Sequence, residues 1–431
     1  MRRHQLVLLL FLSGPLFGAV PCRAQVSQSL TLPEAEQIAI QNHPRIQAAT
    51  HLASAAAAQV NEVRSAYYPQ AYGSLTGVEA EHNSRIAAGG LNNPIIYDRF
   101  AEGFTMGQLV TDFGRTYELV KSSNLRARAQ QENVAITRAD VLLRLNQAYF
   151  AALKAQAVLQ VAEQTVKSRQ LVADQTSALQ TSNLKSGLDV SFANVDLAQA
   201  QLLLIQAQND VQASYAELSA ALGYSDQRTF QLAEQPMPSS PPSDFLPLIQ
   251  EALQRRPELI SQGLNVKSAQ SFATAERDLW FPTISVLGTT GLIPNRQDTL
   301  DSRYAAVGFN VNMPIFNGRL FSARRAEANS IAQVQEQYLR DLQNRIVRDV
   351  RTAWLNANSA FRRLAVTEQL LNESTQAFDL AQSRYGLGLS SIVELSQAQL
   401  NKTQAEIAGV SAEYDYEIQM AYLNYQLGGL Q

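Results

Sequence analysis

Two hydrophobic periods alternate along this chain. From Arg115 to Ser186, and again from Arg319 to Tyr385, apolar positions recur at helical spacing with no glycine and no proline. At about 1.5 Å of rise per residue, each stretch predicts a helix on the order of 100 Å long. Such a helix needs a partner along its whole length, or a place in a coiled coil. Ile346, Val350, Ala353, Ala357, Ala360 and Leu364 step alternately by four and three, and Leu371, Phe378 and Tyr385 continue in sevens. This is the 3.5-residue period of a supercoiled seam. In the next segment of the first half, Ala193, Ala200, Ala207, Ser214 and Ala221 recur every seven residues, with Leu197, Leu204, Val211 and Leu218 between them. Alternating small and large residues let neighbouring backbones approach closely. Ala398, Ala405 and Ala412 repeat the small positions 205 residues on. An ordinary helical hairpin in a bundle shows the same local pattern, but it does not account for the strands inserted before each long helix.

Those strands carry the second period. Val307, Phe309, Val311 and Met313 fall on one face, and Gly308, Asn310 and Asn312 on the other. In the first half Phe104, Met106 and Val110 oppose Gly103, Thr105 and Gly107, with Gln108 and Leu109 out of phase. Alternation with a polar second face fits a membrane barrel strand, with lipid outside and lumen inside; any one strand fits a soluble sandwich equally well. Aromatics mark the strand starts: Tyr67, Tyr68 and Tyr72 in one half, Trp280 and Phe281 in the other. Tyrosine and tryptophan concentrate at membrane–water interfaces. An open strand edge cannot sit in lipid, and closed barrels begin at about eight strands. Four strands per chain therefore call for several chains, and three would supply twelve.

The chain reads as one unit written twice. Ala39–Pro44 resembles Ala252–Pro257, and Tyr67-Tyr68-Pro69 resembles Trp280-Phe281-Pro282, both 213 residues apart. Asp112–Arg115 aligns with Phe316–Arg319 at an offset of 204, and Leu222-Gly223 with Leu427-Gly428 at 205. The first repeat spans 25–223, with strands at about 66–80 and 100–111 and long helices at about 115–182 and 188–222. A Pro/Ser-rich connector covers 224–246. The second repeat spans 247–431, with strands at about 282–293 and 303–314 and long helices at about 319–385 and 390–427. Each copy has the order short helix, helix, two strands, very long helix, long helix.

Composition narrows the function. Of 431 residues, 35 are Lys or Arg and 38 Asp or Glu, a net charge of −3 that gives no electrostatic footprint for nucleic acid. Arg2, Arg3 and His4 precede an apolar run from Leu6 to Val20 that proline and glycine interrupt, and Ala24 stands where a leader would be cut. Residues 1–24 therefore read as a secretory signal. Cys22 is the sole cysteine, so no disulfide framework or cysteine metal site exists; Pro21 before it disfavours lipidation. No later segment is expected to reach the roughly 18 apolar residues of a transmembrane helix. Enzyme signals are weak. His43 and His51 have no acid at catalytic spacing, and Glu79, Glu81 and His82 read as a polar hairpin loop before a metal site. Gly386-Leu387-Gly388 follows a helix and lacks a third glycine, and there is no phosphate loop. No cofactor is expected.

With this duplicated order the sequence resembles the TolC-type outer-membrane efflux protein family over nearly the whole mature chain. The resemblance rests on Tyr68-Pro69 with Phe281-Pro282 and on two helix–helix turns, Asn183–Val190 and Gly388–Leu395. It implies a mainly α protein with membrane β structure. Homotrimers would form a twelve-stranded β-barrel in the outer-membrane lipid, continued by a twelve-helix α-barrel through the periplasm. It also implies a periplasmic adaptor and an inner-membrane pump as partners, with drugs, metals or proteins as cargo. The turns would form the tip that meets the adaptor, through Asn183, Leu184, Gly388, Leu389 and Ser390. The resemblance places Glu394 in an acidic ring closing the aperture, with Gln397 where some members have a second acid. It matches Tyr385 and Asp189 to a hydrogen-bonded pair of the closed state. Ser390 stands where some members have a basic residue, so the charged latch departs from the family pattern. Two other readings stay open at this point: Glu394 as a solvated carboxylate at a helix start, and the whole chain as a periplasmic coiled-coil adaptor or scaffold.

Overall fold

The computed structural model describes residues 29–82, 84, 98–295 and 301–430. The leader expected over 1–24, with Cys22, lies outside them. Eight α-helices and four strands follow in the order α1 (Leu32–Asn42), α2 (Pro44–Arg64), β1 (Gln70–Val78), β2 (Arg99–Thr111), α3 (Arg115–Thr181), α4 (Gly187–Ala221), α5 (Leu246–Arg255), α6 (Pro257–Arg277), β3 (Thr283–Asn295), β4 (Arg303–Asn312), α7 (Leu320–Gly386) and α8 (Ile392–Gln426). His43 and Arg256 are extended because each precedes a proline, which breaks the helix there and starts the next one. A 3-10 turn over Ser65–Tyr67 follows α2, so β1 begins at Gln70 and not near residue 66.

The halves match element for element. Both α3 and α7 have 67 residues, both α4 and α8 have 35, and both α2 and α6 have 21. The strand-to-helix alignment at offset 204 is corrected to 205, the shift from Arg115 to Leu320. Each long helix is entered through two consecutive left-handed residues, Phe113-Gly114 in one half and Gly318-Arg319 in the other. Phe113 therefore corresponds to Gly318, and matching glycine to glycine slips the register by one.

The elements lie side by side in one order at every level. The sheet runs β1-β2-β3-β4, all antiparallel. Next to it α2 contacts α3, α3 contacts α6, and α6 contacts α7; farther along, α4 contacts α3, α3 contacts α8, and α8 contacts α7. One flank is thus β1, α2 and α4, and the other is β4 and α7. Seam residues Ile346, Val350, Ala353, Ala357, Ala405 and Ala412 are fully buried. Contrary to the sequence expectation, α4 holds an 18-residue window of mean hydropathy 1.2, long and apolar enough to cross a membrane. Only 11% of that window is buried within the chain. Besides its alanine seam, α4 carries an exposed row, Leu188, Val195, Leu202 and Ile205, on the open flank.

The duplicated landmarks are partners in space. Gly223 ends α4 at φ 85°, and a Cβ there would lie 3.0 Å from the His43 backbone. Gly428 presses in the same way on Arg255. Gly388 has a similar φ of 72° with open space around it. Gly223→Ala combines left-handed strain with a clash, whereas Gly388→Ala carries the strain alone, about 1–2 kcal/mol. Thermal melting should therefore show a larger loss for Gly223→Ala than for Gly388→Ala.

The connector is a belt bound to the helices by aromatic side chains. Tyr215 donates to the Phe230 carbonyl at 3.0 Å, Tyr149 to Ala233 at 2.6 Å, Tyr416 to Ser239, and the Trp354 indole to Pro242 at 2.8 Å. Leu30 adds a parallel bridge to Leu232. Tyr and Trp suit this duty because their rings fill the core while one polar atom fixes the backbone. Beside the belt, α8 buries Glu417. Burial, then Glu413 and Glu234, push its pKa up to about 7. An acid whose folded pKa is raised destabilises the fold as it ionises. Stability should therefore fall as pH rises from about 4.5 to about 7. Glu417→Gln should flatten that slope and raise the melting temperature at pH 8.

Candidate functional site

The sheet has two chemically distinct faces. Register places Met106, Gly288 and Val307 on one face, with Phe104, Val286, Phe309 and Val311. Thr105, Thr289 and Ala306 share the other, mostly small or polar, face with Gly103, Gly107, Ser285, Gly308 and Asn310, and with Tyr72, Leu109 and Leu287. Val307 is 83% and Phe309 78% exposed. The phase change near Leu109 has a cause: a bulge between Leu109 and Thr111 takes Val110 out of the alternation. Gln108, before the bulge and opposite Val286, lies on the apolar face by plain alternation, and its amide donates to the carbonyls of Tyr67 (3.0 Å) and Leu109 (2.7 Å). β1 and β4 each have one unpaired edge among the described residues.

The four junction aromatics lie where strands meet helices, and Tyr67, Tyr68, Trp280 and Phe281 are all exposed. Trp280 meets Phe321 edge-on at 5.7 Å, and Phe281 meets Phe113 at 6.0 Å. The two halves thus share an aromatic collar at the foot of the sheet.

At the opposite end both helical hairpins close with the same motif. Asn183 and Gly388 have φ of 58° and 72°. The N–H groups of Leu184 and Leu389 donate back to Leu179 and Arg384, and those of Asn183 and Gly388 to Gln180 and Tyr385. These are Schellman caps, which require a left-handed residue. Leu184 and Leu389 project outward, 70% and 67% exposed. Glu394 opens α8, where its N–H donates to the Ser391 hydroxyl, and it lies 3.7 Å from the Arg384 guanidinium. Gln397 bonds along its own helix to Asn401.

The pairing of Tyr385 with Asp189 is not present within the chain. Asp189 accepts from the backbone and hydroxyl of Ser186 in a capping box. Those bonds hold its carboxyl below the usual carboxylate range, the backbone bond contributing most. The Tyr385 hydroxyl is buried with no partner among the described residues, and the Lys185 ammonium stands 3.8 Å over its ring. Lys185 follows Asn183 by two residues, as Ser390 follows Gly388. The basic side chain missing at Ser390 is therefore present on the other hairpin, and Arg384 supplies a second.

Farther from the hairpin turns lies a buried node that the sequence reading missed. Arg169 of α3 pairs with Asp196 of α4 at 3.2 Å and donates to Gln399 of α8. The Ser396 hydroxyl donates to the same Asp196. Arg169 is only 6% exposed, and burial pulls its pKa down against the opposing pull of Asp196. The signal was present: Ala162, Arg169 and Thr176 step by seven along one buried seam. Removing one partner of a buried ion pair costs about 3–5 kcal/mol, because the other charge stays behind. Arg169→Met should lower the melting temperature sharply, and adding Asp196→Leu should restore part of the loss.

Among the described residues, catalytic or metal chemistry finds no comparable assembly. No group of three metal-ligating side chains exists among the described residues. A groove of about 830 Å³ between α2 and α3 is lined by Arg128, Arg138 and small or amide residues, with no acid, histidine or cysteine.

The comparisons with known proteins agree with this geometry. The profile of the family described as outer membrane efflux protein matches residues 36–224 and 248–429. The chain belongs to that family. It is an efflux channel of the outer membrane of a Gram-negative bacterium, with a large periplasmic portion. Outer membrane protein TolC of Salmonella enteritidis is 22% identical, covering 94% of this chain and 83% of that one. Outer membrane protein OprJ of Pseudomonas aeruginosa is 24% identical, covering 87% and 79%. Among solved structures, the outer-membrane channel OprN superposes with a TM-score of 0.80 at 19% identity, over 92% and 90% of the chains. The Campylobacter jejuni CmeC channel gives 0.79 at 17%, over 98% and 94%. Family and fold are those of channels, not of enzymes.

Proposed function

We propose that three copies of this chain close into a twelve-stranded barrel continued by a twelve-helix tunnel. The assembly is the passive exit duct of a tripartite efflux or secretion system. One observation carries the reading: a four-stranded sheet with an apolar face, a polar face and two unpaired edges. In lipid every backbone group must be bonded, so the β1 edge must meet a β4 edge of another copy. Two copies would give eight strands, and an interior that side chains fill. Three is the smallest number that leaves a passage. The helices support the same closure. Exposed Leu188, Val195, Leu202 and Ile205 on the α4 flank find apolar partners in exposed Leu355, Val366, Leu370 and Leu380 of a neighbouring α7.

In this reading Tyr67, Tyr68, Trp280 and Phe281 ring the barrel at the lipid–water boundary. Leu184 and Leu389, with Asn183, Gly388 and Ser390, form the seats for a periplasmic adaptor. Glu394 contributes three carboxylates to the aperture, with Gln397, Asp189 and Tyr385 around them. An inner-membrane pump supplies the energy, since the chain has no phosphate loop.

Purified protein in detergent should have the mass of three chains by light scattering and should conduct in planar bilayers. A non-conducting monomer would overturn the reading. A confined acidic ring attracts cations, and Arg384 partly neutralises it here. Divalent-cation block of the single-channel current should therefore weaken in Glu394→Gln and strengthen in Arg384→Ala.

A further inference from the structure

The polar face of the sheet contains a feature that the closure of the barrel does not need. Near the end of the sheet farthest from the helices, Gly103, Gly291 and Tyr304 stand opposite one another on three adjacent strands. The Tyr304 ring does not stand out from this face. It folds back over both glycines, so closely that a Cβ on Gly103 would lie 2.0 Å from its hydroxyl oxygen. A Cβ on Gly291 would lie 2.5 Å from its Cζ. Only residues without side chains leave room for the ring at these two positions. The neighbouring rung of the same face has small side chains on three strands, Thr105, Thr289 and Ala306, and Tyr72 on β1, whose hydroxyl donates to Gln70 at 2.8 Å toward the helix end of the strand. Tyr304 is the bulky group of the outer of these two rungs, eight residues, or about 26 Å, from the Asn312 end of β4.

We propose that Tyr304 sets the bore of the duct at its outer mouth, and that Gly103 and Gly291 form the slot that keeps its ring out of the passage. The inference rests on the channel reading above, which makes the polar face the lumen. Three phenol rings folded flat leave the mouth wide enough for bulky solutes; three rings turned inward would narrow it to a sieve. The two glycines are not equal as levers. A Cβ on Gly291 would also strike the Glu102 carbonyl at 2.3 Å and disturb the sheet itself. A Cβ on Gly103 meets Tyr304 first, with the nearest backbone atom at an ordinary 3.5 Å. Gly103→Ala thus displaces the ring and little else.

The test is polymer exclusion in planar bilayers, with neutral polyethylene glycols of graded size added to the barrel side or the helix side of the full-length protein. Gly103→Ala should shift the barrel-side exclusion limit to smaller polymers, and Tyr304→Ala should shift it to larger ones. The double variant should match Tyr304→Ala alone, because the alanine then has no ring to displace. Tyr304→Phe, which keeps the ring, should match the unmodified protein. The helix-side limit should stay constant throughout, which separates a local change at the mouth from general misfolding. Conducting variants that all share one barrel-side limit would overturn this inference alone. A helix-side shift of equal size would overturn it as well. A protein that forms no channel at all would overturn the channel reading, and this inference with it.

Discussion

The structure depends on one constraint: a backbone group with no hydrogen-bond partner cannot remain in hydrocarbon. Four strands leave two edges open, and nothing else among the described residues covers them. The neighbour order of the helices repeats that of the strands, so the open edges continue downward as open helical flanks. In the proposed trimer, satisfying the sheet and burying the apolar row on α4 are the same act. This also explains why α4 is apolar enough to resemble a membrane span while lying so little buried in its own chain. In that assembly its exposed row and its buried alanines serve two different seams.

Within the chain, cohesion is divided by distance from the sheet. Near the sheet, small residues bring backbones together, as where Ser122 and Ser268 exchange hydrogen bonds between α3 and α6 at 2.8 Å. At mid-height, aromatic hydroxyls and an indole fasten the connector as a belt. Toward the tip, beside an apolar cluster that includes Phe378, Ile392 and Leu395, Arg169, Asp196, Ser396 and Gln399 tie the two hairpins through charge and hydrogen bonds. A buried ion pair there fixes geometry more than it adds stability.

Much of this was legible in the sequence because the fold is periodic. Heptads located the seams of α4, α7 and α8, alternation located the apolar face of β4, and the resemblance to the efflux family, carried by the duplicated order and the two turns, supplied the outer-membrane channel. What escaped was what breaks a period or crosses between repeats. The bulge at Val110 disguised the end of β2. The paired left-handed residues before α3 and α7 hid the true offset, since one pair is Phe-Gly and the other Gly-Arg. Arg169 reads as a surface charge until its phase with Ala162 and Thr176 is noticed. The cation over Tyr385 comes from Lys185 on the other hairpin, a contact that no spacing within one repeat announces. The connector read as a spacer because its anchors, Tyr149, Tyr215, Trp354 and Tyr416, lie far from it in the chain.

The matched lengths of the two repeats have a consequence for whatever meets the tip. In the proposed assembly the backbone of the aperture has near-sixfold symmetry, because both hairpins close with the same cap at the same height. The side chains have only threefold symmetry: Lys185 and Asp189 on one hairpin alternate with Ser390 and Glu394 on the other. A ligand that reads shape counts six equivalent seats, and one that reads charge counts three. A partner of sixfold stoichiometry must therefore bind in two inequivalent ways.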